Sequence, residues 1–291
     1  GKGNRRGSSE RGPARRHDRS LKVGEAAPPC GRSAVTGLEP GLLFDLGLID
    51  FRYACVGHAG ASGYIASLAL FAVPLEWIRP MALVMNLVVA SLASWRFYRD
   101  GHLPVVVQRR LLFPLLSCSI PAALLGGSLR LPSEGLSLFL AIVLLFSALR
   151  LLRSPSERTG GAVALPPWPV VLLTGAVLGL LAGLRGTGGG IFLTPLVLLA
   201  GWLPIRLAAG VSSAFIWCNS LAGLSGWLLS YGALALPPAP LLLAPLPLVA
   251  LAGALGSWCG SRRFQEVWIR RLLALVLLLA SLKLSGLLPM P

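Results

Sequence analysis

The sequence predicts an all-α, polytopic membrane protein made of two inverted repeats with short glycine-initiated half-helices and about nine crossings. Three observations carry this. Of the 291 residues 55% are hydrophobic and 13% charged, with a mean hydropathy of +0.73, too little charge to cover a soluble domain of that length. Apolar runs near membrane length recur along the chain. A short apolar run that begins on glycines occurs twice, and the loops that follow each copy carry opposite charge patterns.

Taken in order, residues 1–40 are polar and basic, with Arg5, Arg6, Arg11, Arg15, Arg16 and Arg19 among prolines and glycines. Such a stretch buries too little apolar surface to fold alone and reads as a disordered basic tail. No apolar core or small-residue cleavage site marks it as a signal peptide. Residues 41–58 are apolar in flavour but carry Asp45, Asp50 and Arg52, each costly at mid-bilayer, so they read as a degenerate or truncated first crossing. From Gly60 the apolar segments are 60–73, 80–96, 110–129, 136–150, 168–184, 190–201, 207–230, 238–258 and 268–288. The first and sixth are shorter than the ~20 residues a straight span needs.

Residues 59–152 then form repeat 1, 153–167 a cytoplasmic linker and 168–291 repeat 2. An offset of 126 places Gly60, Gly63, Ile65, Leu70, Ala82 and Ser94 on Gly186, Gly189, Ile191, Leu196, Ala208 and Ser220, with turns near Pro80 and Arg206. Loop 96–110 has Arg96, Arg99, Arg109 and Arg110 against Asp100, a net +3, whereas its counterpart 230–238 has no charge. The next pair reverses this: 130–134 is neutral, and 258–271 has Arg262, Arg263, Arg270 and Arg271 against Glu266, again +3. Equivalent loops therefore prefer opposite sides, as inverted repeats with an odd number of crossings require. The competing arrangement makes the short segments re-entrant hairpins, with four spans per repeat.

The net charge of +15 does not indicate nucleic acid, because the basic residues lie in the tail or in loops beside apolar runs. Cys30, Cys55, Cys118, Cys218 and Cys259 show no metal-ligand or disulfide spacing. The confident spans hold no Asp, Glu or His and no hydrolase motif, which leaves catalytic residues, cofactors and metals without a candidate. Glu76 and Glu134, in short loops, read as solvated. No buried carboxylate marks a proton path.

What remains is polar and non-catalytic. Gly186, Thr187, Gly188, Gly189 and Gly190 follow Arg185 between two apolar runs, and Gly60, Ser62 and Gly63 open the other short run. A half-helix starting on glycines points unsatisfied N–H donors and its positive dipole end at one spot, and Arg185 would add a fork of donors suited to an oxyanion. The competing reading is close helix packing by the glycines, with Arg185 snorkelling to a headgroup. Asn86 lies on one long helix, Ser212 and Asn219 on the other. They could orient the same anion or bond helix to helix.

These residues resemble the sulfite exporter TauE/SafE family, also called the toluene-sulfonate uptake permease family. The second half carries the likeness in Gly179-x3-Gly183-x2-Gly186-Thr-Gly-Gly-Gly190, Pro195-Leu196, Ala208 to Ser213 and Asn219-Ser220-x2-Gly223. The first half echoes it in Gly60-Ala-Ser-Gly-Tyr64, Pro80-x-Ala82, Asn86-Leu87 and Pro121-Ala-Ala-x2-Gly126-Gly127, and the match runs from Gly57 to Leu288. The sequence departs from the family in the charged stretch 41–58 and in the missing triple glycine of its first motif.

The resemblance implies a multi-pass transporter of the bacterial inner membrane that moves a small sulfur-containing anion, such as sulfite or an organosulfonate, by alternating access. It allows a proton as coupling ion and leaves the oligomeric state open. An intramembrane lipid-phosphate enzyme and an anion channel are the alternatives from other classes.

Overall fold

In a computed structural model, which describes residues 39–129, 134–153 and 165–284, all regular secondary structure among the described residues is helical. The tail at 1–38 and most of the linker, 154–164, lie outside the described residues. The first half contributes α1 (Pro40–Cys55), α2 (Ala61–Leu70), α3 (Leu75–Arg99), α4 (Val105–Ser128) and α5 (Glu134–Arg153). The second contributes α6 (Trp168–Arg185), α7 (Gly190–Leu199), α8 (Ile205–Tyr231), α9 (Ala239–Arg263) and α10 (Glu266–Leu284). Five of these, α3, α4, α6, α8 and α9, are long and apolar enough to cross a membrane. Their outer faces are apolar: Phe113, Leu173, Leu229 and Leu251 are all more than half exposed, a surface that suits lipid and not water.

Lipid tails are as apolar as the side chains, so helices in a bilayer hold together by close approach more than by the hydrophobic effect. Gly175, Gly179 and Gly183 set the backbone of α6 on the carbonyls of Leu115, Ser119 and Ala123 of α4, where a Cβ would collide. Both numbers rise together, so α4 and α6 run parallel. In the same way Gly256 and Gly260 of α9 meet the carbonyls of Phe51 and Cys55 of α1, again in parallel. The long helices α3 and α8 run antiparallel, since Leu83 lies near Gly223 while Phe97 lies near Gly210. The main pairings are α4 with α6, α1 with α9, α4 with α8, α3 with α9, α3 with α8 and α5 with α10. Exchanging the two halves maps each of these onto another pairing or onto itself.

Two expectations change. The register between halves is not 126: α2 begins at Ala61 and α7 at Gly190, 129 positions on, and α3 begins at Leu75 and α8 at Ile205, 130 on. Glycine and alanine are so common in apolar helices that identities arise at a wrong offset. Pro80 is not at a turn but inside α3. The turns fall at Pro74 and Pro204, which precede α3 and α8, where no helical N–H is needed. Residues 40–55 form a helix in the position equivalent to α6, and its charges are accommodated. Arg52 is exposed in the last turn, Asp45 is half-buried, and Asp50 is buried against Tyr64.

One end of the molecule gathers the basic loops. Asp100, which follows α3, accepts hydrogen bonds from Ser261 at 2.7 Å and Arg262 at 2.8 Å, with Arg96 3.3 Å away. Arg206 donates to the Phe264 carbonyl at 3.0 Å. An open pocket of about 590 Å³ is lined here by Arg99, Asp100, His102, Arg206, Ser261 and Arg262. Arg99, Arg263 and Arg271 stack on Trp95, Trp258 and Trp268 at 5.0 to 5.3 Å, the pairing of aromatic ring and cation expected at a membrane surface.

Candidate substrate site

The loop Gly186–Gly189 is built by conformations that only glycine adopts cheaply. Gly186, Gly188 and Gly189 have φ of +69°, +67° and +75°, in the left-handed region where a Cβ meets the following carbonyl. Gly186 ends α6 and Gly189 starts α7. A Cβ on Gly188 would sit 2.7 Å from Ile216 and 2.8 Å from the Ser220 hydroxyl. The loop is therefore pressed against the middle of α8.

The counterpart is Gly57-His58-Ala59-Gly60, shifted by 129. Gly57 has φ +75° and lies against the backbone of Ala209 on α8, while Gly186 lies against Arg79 on α3, where a Cβ would sit 2.9 Å from the Arg79 Cγ. Arg79 and Ala209 are themselves 130 positions apart, so each loop meets the long helix of the other half at matching places. The two loops touch: His58 Nε2 is 3.0 Å from the Gly190 carbonyl, and Nδ1 is 3.1 Å from that of Val56. The cap residues of α2 and α7, Gly60 and Gly189, are glycines, so no side chain of the cap residue takes up the leading N–H groups of these helices.

The second loop and the two long helices it packs against carry buried polar groups whose hydrogen bonding is incomplete among the described residues. Asn86 is fully buried, and neither amide atom has a partner. Asn219 donates to the Phe215 carbonyl at 2.9 Å, but its oxygen is unpaired. The hydroxyls of Thr187 and Ser220 are also unpaired. Unmet buried groups are costly, and native proteins keep them mainly where something else binds.

The other expected residues are placed differently. Ser212 is bonded to Thr194 at 2.5 Å, and Ser62 to the Tyr53 hydroxyl at 2.8 Å. Gly60 and Gly63 face Ile49 of α1, which fills the space a Cβ would take. Arg185 is half-buried in the last turn of α6. Reading by residue type also missed three groups. His58 was findable from the glycines on either side of it once the register is 129. Arg79, whose Nη2 donates to the carbonyls of Gly126, Gly127 and Gly183, and Asp50 signal only their cost in the sequence and not their role, because their partners come from distant segments.

Helices that suit a bilayer, paired half by half around a buried polar junction, define a multi-pass membrane protein with a polar interior. The family model for the sulfite exporter TauE/SafE matches residues 46–284, and the chain belongs to that family. A similar relative is the "Probable membrane transporter protein y4hK" of Sinorhizobium fredii (strain NBRC 101917 / NGR234), 35% identical over 249 residues that cover 84% of this chain and 97% of the relative. No solved structure matches.

Proposed function

We propose that the protein carries a small sulfur-containing oxyanion, sulfite or an organosulfonate, across the bacterial inner membrane by alternating access. The observation that carries this reading is the meeting of two glycine-capped short-helix starts at buried polar groups that lack partners among the described residues. An oxyanion supplies only acceptors, which is what the backbone N–H groups, Asn86 Nδ2 and the hydroxyls of Thr187 and Ser220 require. Arg185, at the edge of the loop, adds long-range attraction. The antiparallel α3 and α8 support an inverted repeat, with α1 as the tenth crossing segment, and two like halves of opposite orientation can rock about a fixed central site. The basic loops at one end point to the cytoplasmic side. The family and the relative favour transport over lipid-phosphate chemistry.

Asn86→Leu tests the site. Replacing an unsatisfied buried amide with an apolar isostere leaves stability unchanged or raised, yet flux of labelled sulfite or alkanesulfonate into proteoliposomes is expected to fall about tenfold or more, since one good hydrogen bond to a charged ligand contributes about 1.5–3 kcal/mol. Wild-type flux in a stable Asn86→Leu protein would sink the proposed site.

A further inference from the structure

Among the described residues, the interior holds a carboxylate whose charge nothing nearby balances. Asp50 is fully buried. One oxygen accepts the Tyr64 hydroxyl, and the other has no partner among the described residues. The elements packed on α1 bring no cation to it. From α2 comes Tyr64, and Tyr53 of α1 is the other phenol nearby. From Ala239 to Trp258, α9 has no ionisable residue; beyond it Arg262 is bound to Asp100, and Arg263 is stacked on Trp258. Arg79 of α3 is held by three carbonyls, and Glu266, Arg270 and Arg271 lie in the first two turns of α10. Arg52 is exposed, and both ring nitrogens of His58 face carbonyls.

An unpaired carboxylate out of water is strongly disfavoured and takes up a proton instead. We propose that Asp50 is the coupling-proton site of the transport cycle. The inference rests on the transport reading above. In the arrangement described here the side chain is the neutral acid. When the α1–α2 hairpin opens to water, the carboxyl O–H bond breaks, the proton passes to water, and the electron pair stays on Asp50. The resulting anion pulls harder on the Tyr64 hydroxyl, and the Tyr64 backbone N–H is bonded to the Gly60 carbonyl at 2.8 Å. Gly60 caps α2, and His58, two residues earlier, holds the Gly190 carbonyl at the start of α7. Proton loss at Asp50 is thereby transmitted to the loops proposed to cradle the anion. This couples the two without direct contact.

Two measurements test this. In proteoliposomes, wild-type protein accumulates labelled sulfite or alkanesulfonate under an imposed pH gradient. Asp50→Asn loses that accumulation by about tenfold or more, the size of an ordinary coupling between two sites, but retains exchange of labelled for unlabelled anion at equal pH. Gradient-driven accumulation by Asp50→Asn at the wild-type level overturns the proposal, and so does accumulation that follows sodium in place of protons. The second measurement does not depend on transport. Infrared spectra of the purified protein at neutral pH show the carbonyl stretch of a buried protonated carboxyl in the wild type, shifted in Tyr64→Phe and absent in Asp50→Asn. A wild-type spectrum without that band also overturns it. Wild-type protein that moves neither anion, even in exchange, defeats the transport reading, and the infrared band still decides whether Asp50 holds a proton.

Discussion

Arg79 enters the bundle from the second turn of α3 and places its guanidinium where α4 and α6 end. Helix ends leave carbonyls without N–H partners, and a cation there also meets the negative end of the dipole. Nη2 donates to Gly126 and Gly127 at 2.9 and 3.0 Å and to Gly183 as well. The side chain can reach them because Gly127 and Gly183 let α4, α6 and α8 approach to backbone contact. Arg79→Ala removes all three bonds at once and is expected to lower stability by about 1–3 kcal/mol, read as a lower denaturation midpoint in detergent. Arg79→Lys should recover part of this, since it keeps the charge but not the fork. The residues that matter most here were the least legible in the sequence. A single Arg, Asp or His in an apolar run signals cost, but the partner that meets it lies tens of residues away.

Between elements, the clasp joining the end of α3 to the end of α9 ties the two halves together at the basic end. Hydrogen bonding by Arg262 holds the Asp100 carboxyl below its ordinary range, with Ser261 and the charge of Arg96 adding to the effect. A depressed value in the folded state means that the clasp stabilises fully above the unfolded carboxyl's value, about 3.9, and that this contribution is lost as pH falls through the folded value. Asp100→Asn should therefore melt below the wild type at neutral pH, with the gap narrowing as acid protonates the wild-type carboxyl. A gap that stays constant with pH would show that the ion pair does not contribute. The positions of α2 and α7 as short glycine-led helices were legible from length and composition. Their register was not, because a few shared glycines fit more than one offset.

At the scale of the whole molecule, the antiparallel α3 and α8 place the loops that follow them at opposite ends. Arg99, at the end of α3, and Leu234, beyond α8, are both exposed. In a cysteine-free background, Arg99→Cys is expected to react with an impermeant maleimide only from the cytoplasmic side and Leu234→Cys only from the other. Labelling of both from one side would refute the inverted arrangement. Such opposition was foreshadowed by loop charge, since +3 loops fall after the third segment of one half and the fourth of the other.

The sequence by itself determined that this is a helical membrane protein, which glycines break the apolar runs, and which family it resembles. Those properties follow from local composition and spacing, which the bilayer filters strongly because every backbone polar group must be satisfied within its own segment. Only the tertiary structure decided that residues 40–55 form a helix beside α9, that His58 joins the two glycine loops, and that Asp50 is buried without a cation among the described residues. Each of these depends on which distant groups meet, and burial of a charged or polar side chain is set by its neighbours in space, not along the chain.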